Sequence, residues 1–133
     1  MKLYQFILLG LIIGLISCEK ENSKPIDYRN SVIGEYAGIR IDTYWINATV
    51  GYGHDTTAII INLSKSDLDS IIDISFNPTY SDEDFSFKYV DGQFISTTYY
   101  HPPILTLVND SLYFKHQGGL GPIWTECFTK KSD

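Results

Sequence analysis

From Val32 onward the chain alternates apolar and polar residues in short stretches separated by turn residues. The stretches 39–45, 85–89 and 112–115 follow this pattern, and 58–61 is a continuous apolar run. Val, Ile, Thr, Tyr, Phe and Trp dominate them, and a period of two in such residues is typical of strands with one buried face. The pattern predicts an all-β domain over residues 32–131.

Turn signals divide this domain into strands. Asp91-Gly92 predicts a type I′ hairpin turn, because both central positions of that turn need positive φ, and Asn109-Asp110 predicts a second hairpin. The strands are predicted at 33–41, 42–50, 57–64, 69–76, 85–90, 93–100, 104–108 with 111–117, and 122–129. Short connections favour an antiparallel up-and-down meander of about eight strands, closed into a barrel or folded as a two-layer sandwich.

Length and charge exclude several classes of protein. The chain has 133 residues and a formal net charge of −6. This length suits one small domain. An acidic chain lacks the clustered Lys and Arg that phosphate backbones require, so we expect no nucleic-acid partner.

The first eighteen residues predict an export signal. Lys2 precedes a nearly continuous apolar run over 3–16, which is shorter than a membrane span requires. Leu15-Ile16-Ser17-Cys18 resembles the lipobox of bacterial lipoproteins. The resemblance implies a signal peptide over 1–17, cleavage by signal peptidase II between Ser17 and Cys18, and a diacylglyceryl group on the Cys18 sulfur.

Acyl chains such as palmitate on Cys18 would make the lipid bilayer a partner of the protein without a membrane span. Residues 18–31 are polar and are expected to form a flexible tether. The acidic cluster at 19–21 resembles the surface-export signal of Bacteroidota lipoproteins. We therefore expect an outer-membrane location, with the domain facing either the periplasm or the medium.

Three short motifs suggest a family. Residues 34–38 (Gly-Glu-Tyr-Ala-Gly), 110–112 (Asp-Ser-Leu) and 128–130 (Phe-Thr-Lys) resemble the small lipocalin-like lipoproteins of Bacteroidota. The resemblance covers residues 32–131 and implies a lipocalin-like barrel. The chain has Gly-x-Tyr where true lipocalins have Gly-x-Trp.

No motif for catalysis or cofactor binding stands out. His54, His101 and His116 lack metal-ligand spacing and are expected to be exposed in loops or at strand ends. No Gly-x-Ser-x-Gly elbow or phosphate-binding Gly loop occurs. The prediction is therefore no catalytic residues, no metal site and no cofactor. Cys127, the cysteine left after lipidation, is expected to point inward as a small buried apolar residue.

Adjacent aromatic residues are the best candidates for a binding surface. Neighbours on a strand face opposite sides, so one member of Tyr44-Trp45 and one of Tyr99-Tyr100 should face outward. Exposed rings of this kind anchor protein partners or sugars. The candidate binding residues are Tyr44, Trp45, Tyr99, Tyr100 and His101.

Three further positions resemble the acceptor motif of Bacteroidota O-glycosylation, in which Ser or Thr follows Asp. They are Thr56, Ser70 and Ser111, each expected at a turn or at the start of a strand.

The function expected from these features is that of a membrane-anchored lipoprotein with a non-catalytic β-barrel binding domain. Its partner would be a protein, a glycan or a small apolar molecule. One alternative is an inhibitor of a secreted hydrolase such as a lysozyme or protease, which would use the stiff loop at 100–104. The other is a hydrolytic enzyme that uses loop histidines.

Overall fold

Eight antiparallel strands form one sheet in the computed structural model, which describes residues 26–80, 84–98, 100–118 and 123–132. The strands are β1 (Gly34–Asn47), β2 (Gly51–Lys65), β3 (Ile71–Asn77), β4 (Phe85–Val90), β5 (Gln93–Ser96), β6 (Ile104–Val108), β7 (Ser111–Gln117) and β8 (Trp124–Lys131). The all-β prediction is confirmed.

The sheet is an up-and-down meander that curls into a nearly closed barrel. Its strand order is β5-β4-β3-β2-β1-β8-β7-β6, so β1 pairs with both β2 and β8. β5 and β6 are the two edges, and they approach each other without forming a hydrogen-bonded ladder. We call this boundary the seam.

Backbone angles confirm the two predicted hairpin turns. Asp91 and Gly92 have φ values of 51° and 80°, as a type I′ turn between β4 and β5 requires. Asn109 has a φ of 55° in the two-residue turn that joins Val108 to Ser111. Asn and Asp tolerate this left-handed conformation better than most residues with a Cβ atom.

Three strand predictions need correction. The segments 33–41 and 42–47 form the single strand β1, because Asp42 has no Gly, Pro or Asn beside it and the ladder with β2 continues through this point. Residues 48–50 form the turn, and the strand predicted over 57–64 already begins at Gly51. The strand predicted over 93–100 ends at Ser96, where its ladder with β4 also ends.

Apolar side chains fill most of the barrel interior that the structure describes. Phe76, Phe85 and Phe114 pack edge to face, with ring centroids 5.1–5.9 Å apart. The buried apolar residues are Val32, Tyr36, Ile59, Ile61, Leu63, Ile72, Ile74, Phe85, Phe87, Leu105, Leu112, Phe114 and Cys127. The predicted burial of Cys127 is confirmed, and burial raises the pKa of its thiol to about 12.

The segment before β1 is folded against one end of the barrel. Tyr28–Ser31 forms a 3-10 turn, whose first backbone N–H donors are capped by Asp27. The Arg29 guanidinium donates to the carbonyl oxygens of Ser66, Leu68 and Ile71 at 3.0–3.2 Å. Residues 26–31, which the sequence analysis placed in the flexible tether, are therefore part of the folded domain.

The apolar run at 3–16 and the lipobox, including Ser17 and Cys18, lie outside the described residues. Within the described part of the chain, none of the helical segments has the length and apolar character needed to cross a membrane.

Candidate functional site

The β1–β2 hairpin extends beyond the strands on either side of it. β8 pairs with β1 only between Tyr36 and Thr43, and β3 pairs with β2 only between Ile60 and Lys65. The far half of the hairpin, which includes its turn at residues 48–50, therefore has no second ladder partner. Side chains on both of its faces can meet solvent there.

An aromatic surface covers the outer face at the base of this projection. The Trp45 and Tyr52 rings, on paired positions of β1 and β2, have centroids 5.2 Å apart, and Tyr52 is 5.3 Å from Trp124 on β8. Trp45 and Tyr52 are 47% and 44% exposed. We call Trp45, Tyr52 and Trp124 the aromatic surface.

Thr43 lies beneath these rings. Its register partners are Trp124 on β8 and His54 on β2. Although it belongs to the outer face, it is only 1% exposed, and its hydroxyl is 2.9 Å from His54 Nδ1. The rings therefore form a packed cluster that holds its own shape, as a preorganised binding surface requires.

Other exposed apolar side chains lie at the same end of the barrel as the aromatic surface. They are Tyr44 and Ile46 on the opposite face of the hairpin, Val50 in its turn, and Ile123 next to Trp124 in sequence. Tyr44 packs over Gly53, where a Cβ atom would lie 2.8 Å from the Tyr44 ring. Both members of the pair Tyr44-Trp45 are thus exposed, whereas the sequence predicted that one would face the core. The reason is that the hairpin projects beyond the barrel.

Polar groups border the aromatic surface on the β7–β8 side. Lys115 Nζ lies 5.8 Å from the Trp124 ring centroid and 3.4 Å from the Glu126 carboxylate. The Tyr113 hydroxyl donates to the same carboxylate at 2.7 Å. That hydrogen bond lowers the pKa of Glu126, while burial and the nearby carboxylate raise the pKa of Tyr113 to about 12.

The second predicted aromatic pair lies elsewhere. Tyr99 is outside the described residues, while Tyr100 and His101 are exposed in the connection between β5 and β6. In strand order this connection is opposite the β1–β2 hairpin, although both lie at the same end of the barrel. The structure therefore does not join Tyr100 and His101 to Trp45 in one surface.

The histidines occupy three different settings. His54 is exposed within β2, and His101 is in the β5–β6 connection. His116 is only 7% exposed and faces the interior from β7, where its Nδ1 lies 3.0 Å from the Tyr80 hydroxyl. The expectation of exposed histidines in loops or at strand ends is therefore wrong for His116, and His54 lies inside a strand. Polar partners and the neighbouring Phe85 ring accommodate the buried imidazole.

A polar cluster inside the barrel was not predicted from the sequence. Arg40 Nε donates to Asp42 Oδ2 at 2.8 Å, and the Thr125 hydroxyl donates to Asp42 Oδ1 at 2.6 Å. The Arg40 guanidinium lies 5.6 Å from the Tyr80 ring centroid. The charges of Arg40 and Asp42 are thus paired within the barrel wall. The period-two pattern of β1 contained the signal, since it places 40 and 42 on the same face as buried Tyr36.

The candidate glycosylation sites differ in setting. Ser111 is exposed as the first residue of β7, and Ser70 has a φ of 63° in the β2–β3 turn. Thr56 is exposed but lies well within β2, so the expectation of a turn or strand start is wrong there. Its paired position on β1 is Ile41.

Among the described residues, no three His, Cys, Asp or Glu side chains gather closely enough to hold a metal ion. No protein-family model, curated protein or solved structure matches the chain.

Proposed function

We propose that this protein is a bacterial lipoprotein, held at the outer membrane by acyl chains on Cys18, whose β-barrel is a non-catalytic module that binds another protein. The observation that carries the binding role is the aromatic surface. Large aromatic rings that remain partly exposed yet packed are typical of the residues that dominate protein–protein binding energy.

The chemistry around the rings favours a protein over the other partners considered. Val50, in the hairpin turn, and Ile123, next to Trp124 in sequence, are exposed aliphatic residues at the same end of the barrel. A sugar offers them few apolar contacts, whereas a protein partner can bury them. The interior is filled by Phe and Ile side chains, so a small apolar ligand has less support.

Site-specific photo-crosslinking in intact cells tests the binding role. A photoreactive phenylalanine analogue replaces Tyr52 in one variant and Ile95 in a matched control, because Ile95 is also exposed but lies on β5, away from the aromatic surface. We expect a discrete protein adduct from position 52 and none from position 95. Trp124→Ala should abolish the adduct at position 52 while leaving the protein folded.

Adducts of equal yield at both positions, or none at position 52, would contradict the proposal. An adduct with a secreted hydrolase, together with inhibition at equal stoichiometry, would favour the inhibitor role instead. Retention on immobilised glycans that depends on Trp45, without any adduct, would favour a glycan partner.

The anchor has its own test. The intact mass of the protein purified from membranes should exceed that of residues 18–133 by a diacylglyceryl group with or without a third acyl chain. Cys18→Ala should remove this added mass and release the protein from the membrane fraction. A wild-type protein without the added mass would refute the anchoring part of the proposal.

A further inference from the structure

An up-and-down barrel sorts its connections between two ends. The 3-10 turn, the end of β8, and the β2–β3, β4–β5 and β6–β7 turns all lie at one end, which we call the N-terminal end. Arg29 joins the 3-10 turn to the β2–β3 turn there. The tip of the β1–β2 hairpin lies at the opposite end.

The 3-10 turn and each of the three hairpin turns at the N-terminal end have an exposed apolar side chain in or beside them. Ile26 and Tyr28 beside the 3-10 turn are 74% and 72% exposed, Leu68 in the β2–β3 turn is 68% exposed, and Val108 next to the β6–β7 turn is 62% exposed. Val90, beside the β4–β5 turn, is exposed as well. Leu68 lies within its turn, where Gly, Asn, Asp or Ser is more usual, and Val90 and Val108 are the last residues of β4 and β6 before their turns.

These side chains are spread around a rim and do not line one groove. The β2–β3 turn lies on one side of β1 in strand order, and the β6–β7 turn lies on the other side, beyond β8. A bilayer is a broad surface that a rim of separate side chains can touch at several points at once. Side chains that enter the headgroup region gain apolar contact in this way.

The length of chain between Cys18 and residue 26 is the reason for choosing the bilayer as the occupant. This step rests on the proposed acylation of Cys18. Eight Cα steps separate Cys18 from Ile26 and span at most about 28 Å. β1 has 14 residues, and a strand of that length, tilted as in barrels, gives a height of about 35 Å. The tether therefore keeps the N-terminal end close to the membrane.

Electrostatic attraction to anionic lipid does not explain why this end would lie on a bilayer. Basic and acidic residues are mixed at this end, and the basic ones do not outnumber the acidic ones: they are Arg29, Lys65, Lys130 and Lys131 against Asp27, Asp67, Asp69, Asp91 and Asp110. Attraction to anionic lipid is thus not required, and the contact should depend little on salt.

We propose that the N-terminal end of the barrel rests on the bilayer, with Ile26, Tyr28, Leu68 and Val108 in its interfacial layer. The β1–β2 hairpin and the aromatic surface then point away from the membrane.

Quenching of tryptophan fluorescence by brominated lipid tests this orientation. The acylated full chain, purified from membranes, is reconstituted on phosphatidylcholine vesicles with or without bromine on the acyl chains. Leu68→Trp places a reporter at the rim, and Val108→Trp places a second one across it. Val50→Trp is the matched control, since Val50 is also an exposed turn residue, 61% accessible, but at the hairpin tip.

We expect brominated lipid to reduce the fluorescence added by either rim reporter about twofold, because interfacial side chains lie within reach of the acyl chains. The Val50→Trp reporter and the native Trp45 and Trp124 should keep theirs. Unquenched rim reporters on vesicle-bound protein, or equal quenching of Val50→Trp, would overturn the orientation alone. Protein without acyl mass that fails to float with vesicles would overturn the anchoring proposal, and the orientation with it.

Discussion

The Tyr113 hydroxyl on β7 donates a 2.7 Å hydrogen bond to the Glu126 carboxylate on β8, although the two residues are not register partners. Tyr113 is opposite Phe128, and Glu126 is opposite Lys115, so the bond runs diagonally across the outer face. It couples the protonation of the two groups. The pKa of Tyr113 is raised to about 12, and the pKa of Glu126 is lowered.

Tyr113→Phe should therefore destabilise the protein in a pH-dependent way. Loss of a hydrogen bond to a partly exposed carboxylate costs about 1 kcal/mol at neutral pH. Glu126 stabilises the fold above its ordinary pKa, and this contribution is lost as pH falls through the lowered value. Tyr113 contributes below its ordinary pKa, and its contribution is lost as pH rises toward 12.

Urea unfolding of wild type and Tyr113→Phe should thus show the largest difference between about pH 5 and pH 9, with smaller differences in acid and alkali. Tyr100→Phe, which removes an exposed hydroxyl, serves as the control. A Tyr113→Phe difference that is the same at every pH would refute the coupling.

Tyr36→Phe should cost more than its small chemical change suggests. The buried Tyr36 hydroxyl donates to the Val32 carbonyl oxygen at 2.7 Å and so joins β1 to the segment that precedes it. Without the hydroxyl, that carbonyl loses its buried donor, at a cost of about 1–3 kcal/mol. Thermal unfolding measures the loss, with Tyr28→Phe as a control because Tyr28 is exposed. Equal midpoints for the two variants would show that the bond contributes nothing.

Gly38→Ala should be among the most damaging small substitutions in the described barrel. A Cβ at position 38 would overlap the Phe128 carbonyl oxygen and lie 2.7 Å from the Thr129 Cα. Both contacts are with the backbone of β8, which cannot move without breaking the ladder. We expect a loss of about 3 kcal/mol or failure to fold. Gly118→Ala, with no atom of the described residues within 4 Å of its Cβ, should unfold like wild type; similar losses for both would contradict the close approach.

Cys127 should resist labelling in the native protein. It is fully buried, and burial raises the pKa of its thiol to about 12. An exposed thiol would react faster as pH rises past about 8.5, but Cys127 should remain slow up to pH 10 and react at once in denaturant. Peptide mapping after maleimide treatment separates Cys127 from Cys18. Rapid native labelling at Cys127 would show that the barrel wall opens beside it.

The fold was predictable because it depends on local signals. Turn chemistry at Asp91-Gly92 and the period-two stretches specify where strands lie and which neighbours they have in a meander. The boundary assigned between residues 41 and 42 failed for the same reason, since Asp42 is the only turn-type residue there and no Gly, Pro or Asn supports it.

The candidate site was only partly predictable. The pattern at 39–45 shows that side chains alternate between the two faces of the strand, but not which face points into the barrel. In the structure Arg40 and Asp42 point inward, while Ile39 faces solvent. A buried ion pair depends on partners such as Thr125, which is 83 positions from Asp42. Likewise, Trp45 was predicted as a binding residue. That it shares one surface with Trp124, through Tyr52, depends on the β1–β8 register, and no short stretch of sequence encodes that register.

The seam between β5 and β6 affects how the circumference of this barrel can change. In a barrel whose edge strands are hydrogen-bonded to each other, the number of strands and their stagger set the circumference. Here the edge strands β5 and β6 meet through side chains such as Phe94, Leu105 and Leu107, which lie beside a shallow depression. The circumference can therefore change with the volume of those few side chains while the backbone hydrogen bonds between the other strands are kept. Substitutions at the seam alone could thus widen or narrow the interior of the barrel in small steps.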